Sequence, residues 1–273
     1  MVRFDGWLLA ADFDNTLRRE GVGGPVPEAN LSAAAEFMAL GGRFTLATGR
    51  DPRSFQHIRP LLALNAPAVV SNGAVILEPD TLEPVHESFL PLEALEELGL
   101  FLRERPGLGA ELHRGTTVRI WAASPGVTEH LLDMNAPRIP LSPADGRRWN
   151  KAVLAVPGPL LGENREAIAL AKAVMDRFPG RYDAVASGAL VDIAAAGSDK
   201  GSGVLRLAEL LGIERNHVIC VGDSLNDLPM LRIAAKAFCP GDAAGAVRRL
   251  PRIRTVGSCE RCLRDVVDLL KME

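Results

Sequence analysis

Two short acidic segments, each closing an apolar run, carry the residue types with which this chain could do chemistry. Asp12-Phe13-Asp14-Asn15-Thr16 follows Trp7-Leu8-Leu9-Ala10-Ala11, and Gly222-Asp223-Ser224-Leu225-Asn226-Asp227 follows Val218-Ile219-Cys220-Val221. Carboxylates are costly to bury unless they bind something. The loop after a strand is where open α/β sheets place their ligands. Between the two segments lie Thr48-Gly49-Arg50, after Leu46-Ala47, and Ser198-Asp199-Lys200-Gly201. An acid pair, a hydroxyl, a lysine and a second acid pair form an inventory for Mg²⁺-assisted phosphoryl transfer through an aspartyl phosphate.

Asp12 and Asp14 are two residues apart, so a continuing strand points both to one side. A nucleophile and an acid/base partner need that proximity. A phosphoester dianion repels a bare carboxylate, so a divalent cation must bridge them, and hard oxygen ligands suit Mg²⁺. Taken alone, the same segment also reads as a turn whose acids cap a helix. Thr48 and nearby backbone N–H groups would hold phosphate oxygens. A plain helix N-cap at Thr48 or Asp51 would show the same residues. Lys200, at a helix start, reads as a point charge for a phosphate or a buried carboxylate, or as a surface lysine. In the last segment Gly222 allows a close turn, Asp223 reaches toward a metal, and Asp227 returns to the same region as a helix begins. Two caps on one helix would leave Asn226 and the preceding apolar run unexplained.

The acids need a scaffold, and the pattern of elements supplies one. Residues 8–13 read as a strand, 27–40 as a helix, 43–47 as a strand, 52–64 as a helix and 68–71 as a strand. This alternation implies a parallel sheet with right-handed crossovers. After Asn72-Gly73-Ala74 the pattern changes to a hairpin (75–77 and 85–89), a helix (92–105) and two β-like runs (109–113 and 117–122). Residues 123–149 are Pro-rich and match neither period; a strand (151–156), a helix (163–178) and a hairpin (182–187 and 189–193) follow. From Lys200 the α/β rhythm resumes, with helices over 201–211, 226–235, 243–250 and 261–271 and strands over 217–221, 237–239 and 253–256. The expected fold class is α/β, a Rossmann-like parallel-sheet core over 1–89 and 189–273 with an inserted α+β cap over 90–188. The cap would act as a lid hinged near Phe89 and Ser187-Gly188.

With 273 residues, 47% hydrophobic and 24% charged, the chain is an ordinary globular protein of one large domain or two smaller ones. A net charge of -3 excludes bulk attraction to nucleic acid or to an anionic membrane; Arg147-Arg148 and Arg248-Arg249 are short and read as solvated surface. No apolar run approaches membrane-spanning length. The first apolar stretch is cut off at Asp12 without a cleavage pattern, so no signal peptide is expected. The four cysteines show no disulfide framework, and Cys259-Glu260-Arg261-Cys262 lacks a second ligand pair. That CxxC reads as reduced thiols near a helix start rather than zinc ligands. A cytoplasmic location is expected.

Together the four segments resemble the haloacid dehalogenase superfamily of phosphohydrolases. The match is DxDxT at Asp12–Thr16, TGR at Thr48–Arg50, Lys200-Gly201 and GDSxND at Gly222–Asp227. The insert resembles the C2-type cap of the Cof-like branch, which also carries an Asn-Gly-Ala like Asn72-Gly73-Ala74. The resemblance implies that Asp12 is the nucleophile and that Asp14 protonates the leaving oxygen, then activates water. It implies phosphate contacts from Thr48, Gly49, Arg50, Asn72, Lys200 and Asn226. Asp12, the Asp14 carbonyl, Asp223 and Asp227 would hold Mg²⁺, Asp227 directly or from behind. Asn15 stands where relatives often have glycine, and asparagine tolerates unusual φ. Arg53 and Asn72 are expected at the rim, and His113, Arg114, Arg119, Trp121 and Arg147 are cap residues that face either the site or solvent. The function implied is hydrolysis of a small phosphorylated metabolite such as a sugar phosphate. The alternatives are a sugar phosphomutase, which shares every motif, and a non-catalytic phospho-ligand binder.

Overall fold

Leu8–Ala11 forms a strand, β1, whose four residues are all buried. The structure, a computed structural model, describes residues 3–19, 24–160, 162 and 164–272. After β1 come α1 (Glu28–Ala39), β2 (Arg43–Leu46), α2 (Pro52–Ile58), β3 (Ala68–Val70), β4 (Val75–Leu77) and β5 (Pro84–Glu87). The middle of the chain forms α3 (Ala94–Arg103), β6 (Gly109–Arg114), β7 (Thr117–Ala122), α4 (Pro125–Asp133), β8 (Lys151–Ala155), α5 (Arg165–Arg177), β9 (Tyr182–Ser187) and β10 (Leu190–Ala195). The chain closes with α6 (Lys200–Leu210), β11 (Val218–Val221), α7 (Leu228–Ile233), β12 (Lys236–Cys239), α8 (Gly245–Arg248), β13 (Ile253–Thr255) and α9 (Cys262–Met272).

Two compact units result. The first comprises Met1–Arg50, Phe55–His86 and Asp199–Glu273; the second comprises Asp51–Ser54 and Glu87–Ser198. In the first, parallel strands run in the order β13-β12-β11-β1-β2, and a parallel bridge between Ala47 and Val69 joins the end of β2 to β3. Alternate strand residues face opposite sides. Leu9 and Ala11 pack with Phe37 of α1 and Val266 and Val267 of α9. Leu8 and Ala10 pack with Val204 and Leu207 of α6 and Met230 of α7. Helices on both faces explain why β1 and β11 are continuous apolar runs. The chain steps outward from β1 to β2 and β3, then returns to β11 on the other side of β1, so the carboxyl ends of β1 and β11 flank a topological switch point.

The second unit is built on the sheet β7-β6-β8-β10-β9, whose neighbours are antiparallel. Ala110, Leu112, Leu154, Val191 and Ile193 turn one face onto Leu98 and Phe101 of α3 and Leu170 and Val174 of α5. Its limits differ from the expected 90–188. Leu190–Ala195 is an internal strand, bonded to β8 on one side and β9 on the other, so the second junction falls after Ser198. Ser187-Gly188 is the turn of that hairpin and not a linker, since Ser187 pairs with Leu190. The Pro-rich stretch holds α4, started by Ser124, whose hydroxyl accepts from Val127 N. The helix expected from Glu163 is described from Arg165 onward, and Glu163 itself lies outside the described residues. No helix among the described residues is long and apolar enough to cross a membrane.

Asn30 ties the first unit together. It is fully buried on α1, donates to the carbonyls of Leu17 (2.9 Å) and Cys259 (2.7 Å) and accepts from Leu263 N (3.0 Å). Cys259 and Cys262 are buried free thiols beside it, with Cys262 opening α9; burial pushes the Cys259 thiol up to about 11. Asn30→Leu strands three backbone groups and is expected to cost roughly 2–4 kcal/mol. Urea unfolding checks this: the midpoint should fall with an unchanged slope.

Candidate active site

The parallel register carries the polar residues that follow β1, β2, β3 and β11 to one edge of the first unit's sheet. Asp12 N donates to Val221 O (2.9 Å), Ala47 N to Ala11 O (2.8 Å) and Thr48 N to Val69 O (2.9 Å), so the ladder extends past the strand ends. Asp12 is 5% exposed and Lys200 1%. Lys200 Nζ donates to Asp12 Oδ1 (2.7 Å) and to Asp227 Oδ1 (2.6 Å). Asp199 presents this lysine: it caps α6 in a capping box with Ser202, which places Lys200 in the first helical position. Asp227 Oδ2 accepts from the N–H groups of Asp223 and Ser224, both at 2.9 Å. Gly222 is required beneath it, since a Cβ there would lie 2.5 Å from the Asp227 side chain. Thr16 Oγ1 donates to Asp223 Oδ1 (3.0 Å) and so aims the Asp223 carboxylate.

A second set of contacts surrounds Arg50. Its Nε and NH2 atoms donate to the two oxygens of Asp14, each at 2.8 Å, a bidentate pair. β1 ends at Ala11, so Asp14 does not continue a strand beside Asp12, and its carboxylate points to the guanidinium. Asn15, at φ 59°, makes the left-handed turn between them. Arg50 N donates to Thr48 Oγ1 (3.2 Å). Asn72, also left-handed at φ 52°, donates its N–H to Thr48 O (3.1 Å) and accepts from Asn226 Nδ2 (3.3 Å). Gly49 lets Asn72 come this close, because a Cβ there would sit 3.1 Å from the Asn72 amide.

Acids dominate the electrostatics around Asp12. Burial pushes the Asp12 carboxyl well above the usual carboxylate range; Lys200 opposes this, while Asp227, Asp223 and Asp14 add to it. Burial alone would lower Lys200, but Asp12 and Asp227 outweigh it and hold the ammonium charged. Oxygens of Asp12, Asp223 and Asp227 lie within 4.8 Å of one another, a set of hard donors that fits a divalent cation. Within that set, Lys200 and two N–H groups already occupy both oxygens of Asp227, so it braces the others. Asp12 Oδ2 accepts no hydrogen bond among the described residues.

The sequence expects one site from Asp12, Asp14, Thr48, Gly49, Arg50, Asn72, Lys200, Asp223, Asn226 and Asp227; the structure groups Asp12, Lys200, Asp223 and Asp227 and links Asp14, Thr48, Arg50, Asn72 and Asn226 by a second set of bonds. Sequence reading missed two partnerships. Thr16 was visible as the last member of its motif, without its Asp223 contact. The Arg50–Asp14 pair joins residues 36 positions apart and left no local signal. Arg53 donates to Thr116 O (3.0 Å) within the second unit. There His113 is buried against Asp51 and Glu111, Arg119 donates to Asp145 (2.6 Å), Arg147 pairs with Glu96 (3.1 Å), Arg114 stacks over Phe89 and Trp121 packs on the apolar core.

The family model described as haloacid dehalogenase-like hydrolase matches residues 9–250, a span that includes Asp12–Thr16, Thr48–Arg50, Lys200-Gly201 and Gly222–Asp227. The chain belongs to this family. Within it, the chain is a haloacid dehalogenase-like hydrolase. A Haemophilus influenzae protein provisionally named a phosphatase is 23% identical over 232 residues, 81% of this chain and 82% of that one. A haloacid dehalogenase superfamily phosphatase of Bacteroides thetaiotaomicron superposes with a TM-score of 0.77 at 18% identity, covering 98% of this chain and 95% of that one. A subclass IIB sugar phosphatase of the superfamily gives a TM-score of 0.77 at 20% identity, covering 97% and 98%. These likenesses establish the shared fold.

Lys200→Met leaves two buried carboxylates facing each other and is expected to destabilise the chain by about 3–5 kcal/mol at neutral pH. The deficit should shrink as pH falls, because Asp12, already raised by burial, then takes up a proton in the folded state. Thermal unfolding at neutral and mildly acidic pH measures both; a neutral-pH Tm equal to that of the parent chain would contradict the central role of the lysine.

Proposed function

We propose that the chain is a Mg²⁺-dependent phosphatase that hydrolyses a small phosphomonoester, such as a sugar phosphate, through an aspartyl phosphate on Asp12. The observation that carries this reading is the asymmetric Asp12 carboxylate: Lys200 holds one oxygen, and the other accepts no hydrogen bond among the described residues. In the proposed cycle, an Asp12 oxygen attacks phosphorus and the bond to the leaving oxygen breaks. Asp14 gives that oxygen its proton, then takes a proton from the water that attacks the aspartyl phosphate. The second attack breaks the bond between phosphorus and Asp12 and releases phosphate. Lys200, Thr48, Gly49, Asn72, Asn226 and the main chain of Arg50 are assigned to the phosphate oxygens, and Lys200 also steadies Asp12. Asp12, the Asp14 carbonyl and Asp223 would hold Mg²⁺ with Asp227 behind them, and the cation would offset the charge of the phosphate. We assign selection among phosphomonoesters to the second unit, proposed as a C2-type cap. The sugar phosphatase among the structural relatives supports this substrate class.

Phosphate release from a panel of metabolites should stop in chelator and return with Mg²⁺. Asp12→Asn should abolish the phosphoenzyme. Asp14→Ala should still be phosphorylated by an aryl phosphate and then turn over slowly, with 10²–10⁴-fold loss expected for a general acid–base residue. Phosphate trapped on any residue other than Asp12 would overturn the assignment.

Thr16→Val removes the donor that aims Asp223. Its expected effect is roughly 10–100-fold weaker activation by Mg²⁺ with little loss at saturating metal. A metal titration of the initial rate separates this from a fall in rate at every concentration.

A further inference from the structure

The second unit buries a chain of ionisable groups on the face of its sheet opposite α3 and α5. Glu111 and His113 stand on β6, Lys151 lies across from His113 on β8, and Asp192 follows on β10. Glu111, His113 and Lys151 are each no more than 5% exposed. Asp51, 2% exposed, enters from the segment 51–54. His113 Nδ1 lies 2.7 Å from Asp51 Oδ2, and Nε2 lies 2.9 Å from Glu111 Oε2. His130 of α4 places Nδ1 within 3.0–3.1 Å of both Glu111 oxygens, and Lys151 Nζ donates to Asp192 (2.7 Å).

An ionised carboxylate only accepts hydrogen bonds, so a ring facing carboxylates with both nitrogens must carry both N–H groups. A neutral imidazole would turn a lone pair toward one of the acids. Buried ion networks of this kind are seldom more stable than apolar packing, which makes a positioning use the better account of this one. Asp51 shows what is positioned. Its Oδ1 accepts from Ser54 N (2.8 Å) and starts α2, while Oδ2 meets His113. The residue before it is Arg50, whose carbonyl accepts from Ser71 N (2.8 Å) and whose guanidinium grips Asp14. The peptide joining Arg50 to Asp51 is therefore held on both sides.

We propose that His113 is a positioning residue: as an imidazolium it pins Asp51 and thereby fixes Arg50, which orients Asp14. The inference rests on the reading of Asp14 as the proton donor and water activator. The titratable groups facing His113 are Asp51 from the segment before α2, Glu111 on its own strand, Lys151 on β8 with its partner Asp192, and His130 on α4. Burial pushes the His113 ring down, but the bonds to Asp51 and Glu111 outweigh it and leave the ring above the ordinary imidazole value. Burial pushes Asp51 and Glu111 up, and their bonds to His113 bring both below the usual range, Glu111 to about 2. The pinned state is complete below the ordinary imidazole range and is lost as pH rises through the raised His113 value.

The test follows 4-nitrophenyl phosphate hydrolysis with Mg²⁺ in stopped-flow and steady state, for the full chain and for His113→Gln, Asp51→Asn, Arg50→Ala and the doubles with Arg50→Ala. A nitrophenol burst in the parent chain is the control for the phosphoenzyme reading; its absence would sink that reading independently. Given the burst, His113→Gln and Asp51→Asn should keep its amplitude and KM but lower kcat roughly 10–100-fold, the scale of a small misplacement of a catalytic group. Neither should lower kcat further in the Arg50→Ala background. Asp51→Asn should also move the alkaline limb of kcat to lower pH, because the ring loses an anionic partner. A structural role alone would lower Tm, leave kcat per folded molecule and the limb unchanged, and overturn the proposal. Equal losses with and without Arg50 would overturn it too. If His113→Gln does not fold, Asp51→Asn, which keeps an oxygen to cap α2, decides the matter by itself.

Discussion

One buried ammonium organises the first unit. Lys200 lies between Asp12 and Asp227 with no exposed side-chain surface, at 2.7 and 2.6 Å. Two buried carboxylates beside each other would repel at great cost without it. Each partner then fixes something further. Asp227 uses its other oxygen to bind the backbone of Asp223 and Ser224, which shapes the loop after β11. Asp12 extends the β1–β11 ladder through its own N–H. The lysine thus joins the start of α6 to the ends of two adjacent strands, and it still leaves a surplus of negative charge for a cation to offset.

The second unit solves a similar problem with a different ion. There an imidazole stands between two acids on a sheet face, where the first unit has an ammonium between two acids at a strand edge. Both networks satisfy their members with short, charge-assisted bonds, the condition under which buried charge is tolerated. Aliphatic packing on α3 and α5 supplies the hydrophobic stabilisation on the other face of the same sheet. The face with the ion network also carries a smaller apolar cluster of Val118, Val127, Leu131, Met134 and Ala155.

Much of this was legible in the chain and some was not. The strand–helix rhythm of the first unit could be read because β1 and β11 are unbroken apolar runs bounded by glycine and acids. The junction near residue 188 was misplaced because Ser187-Gly188 has the composition of a linker, whereas it turns a hairpin whose second strand sits inside a sheet. The stretch after β7 resisted assignment because α4 is short and its apolar residues, Val127 and Leu131, serve a small cluster of their own. Arg114, Arg119, Trp121 and Arg147 could be named as cap residues but not oriented, because their partners come from distant positions.

The sequence by itself determined the spacing of the acids, Thr48 and Lys200, the motifs that carry the family resemblance, and the α/β class, because these are local patterns: a buried strand, a glycine turn, an acid or hydroxyl at its end. Only the tertiary structure decided which charges meet. Arg50 follows a hydroxyl and a glycine as a phosphate-binding residue would, yet it grips Asp14. His113 occupies an ordinary strand position, yet it lies between acids from two different segments. Pairing of this kind depends on distances between residues far apart in the chain. Side-chain charge acts over a few ångströms in space, and spacing along the sequence does not record it.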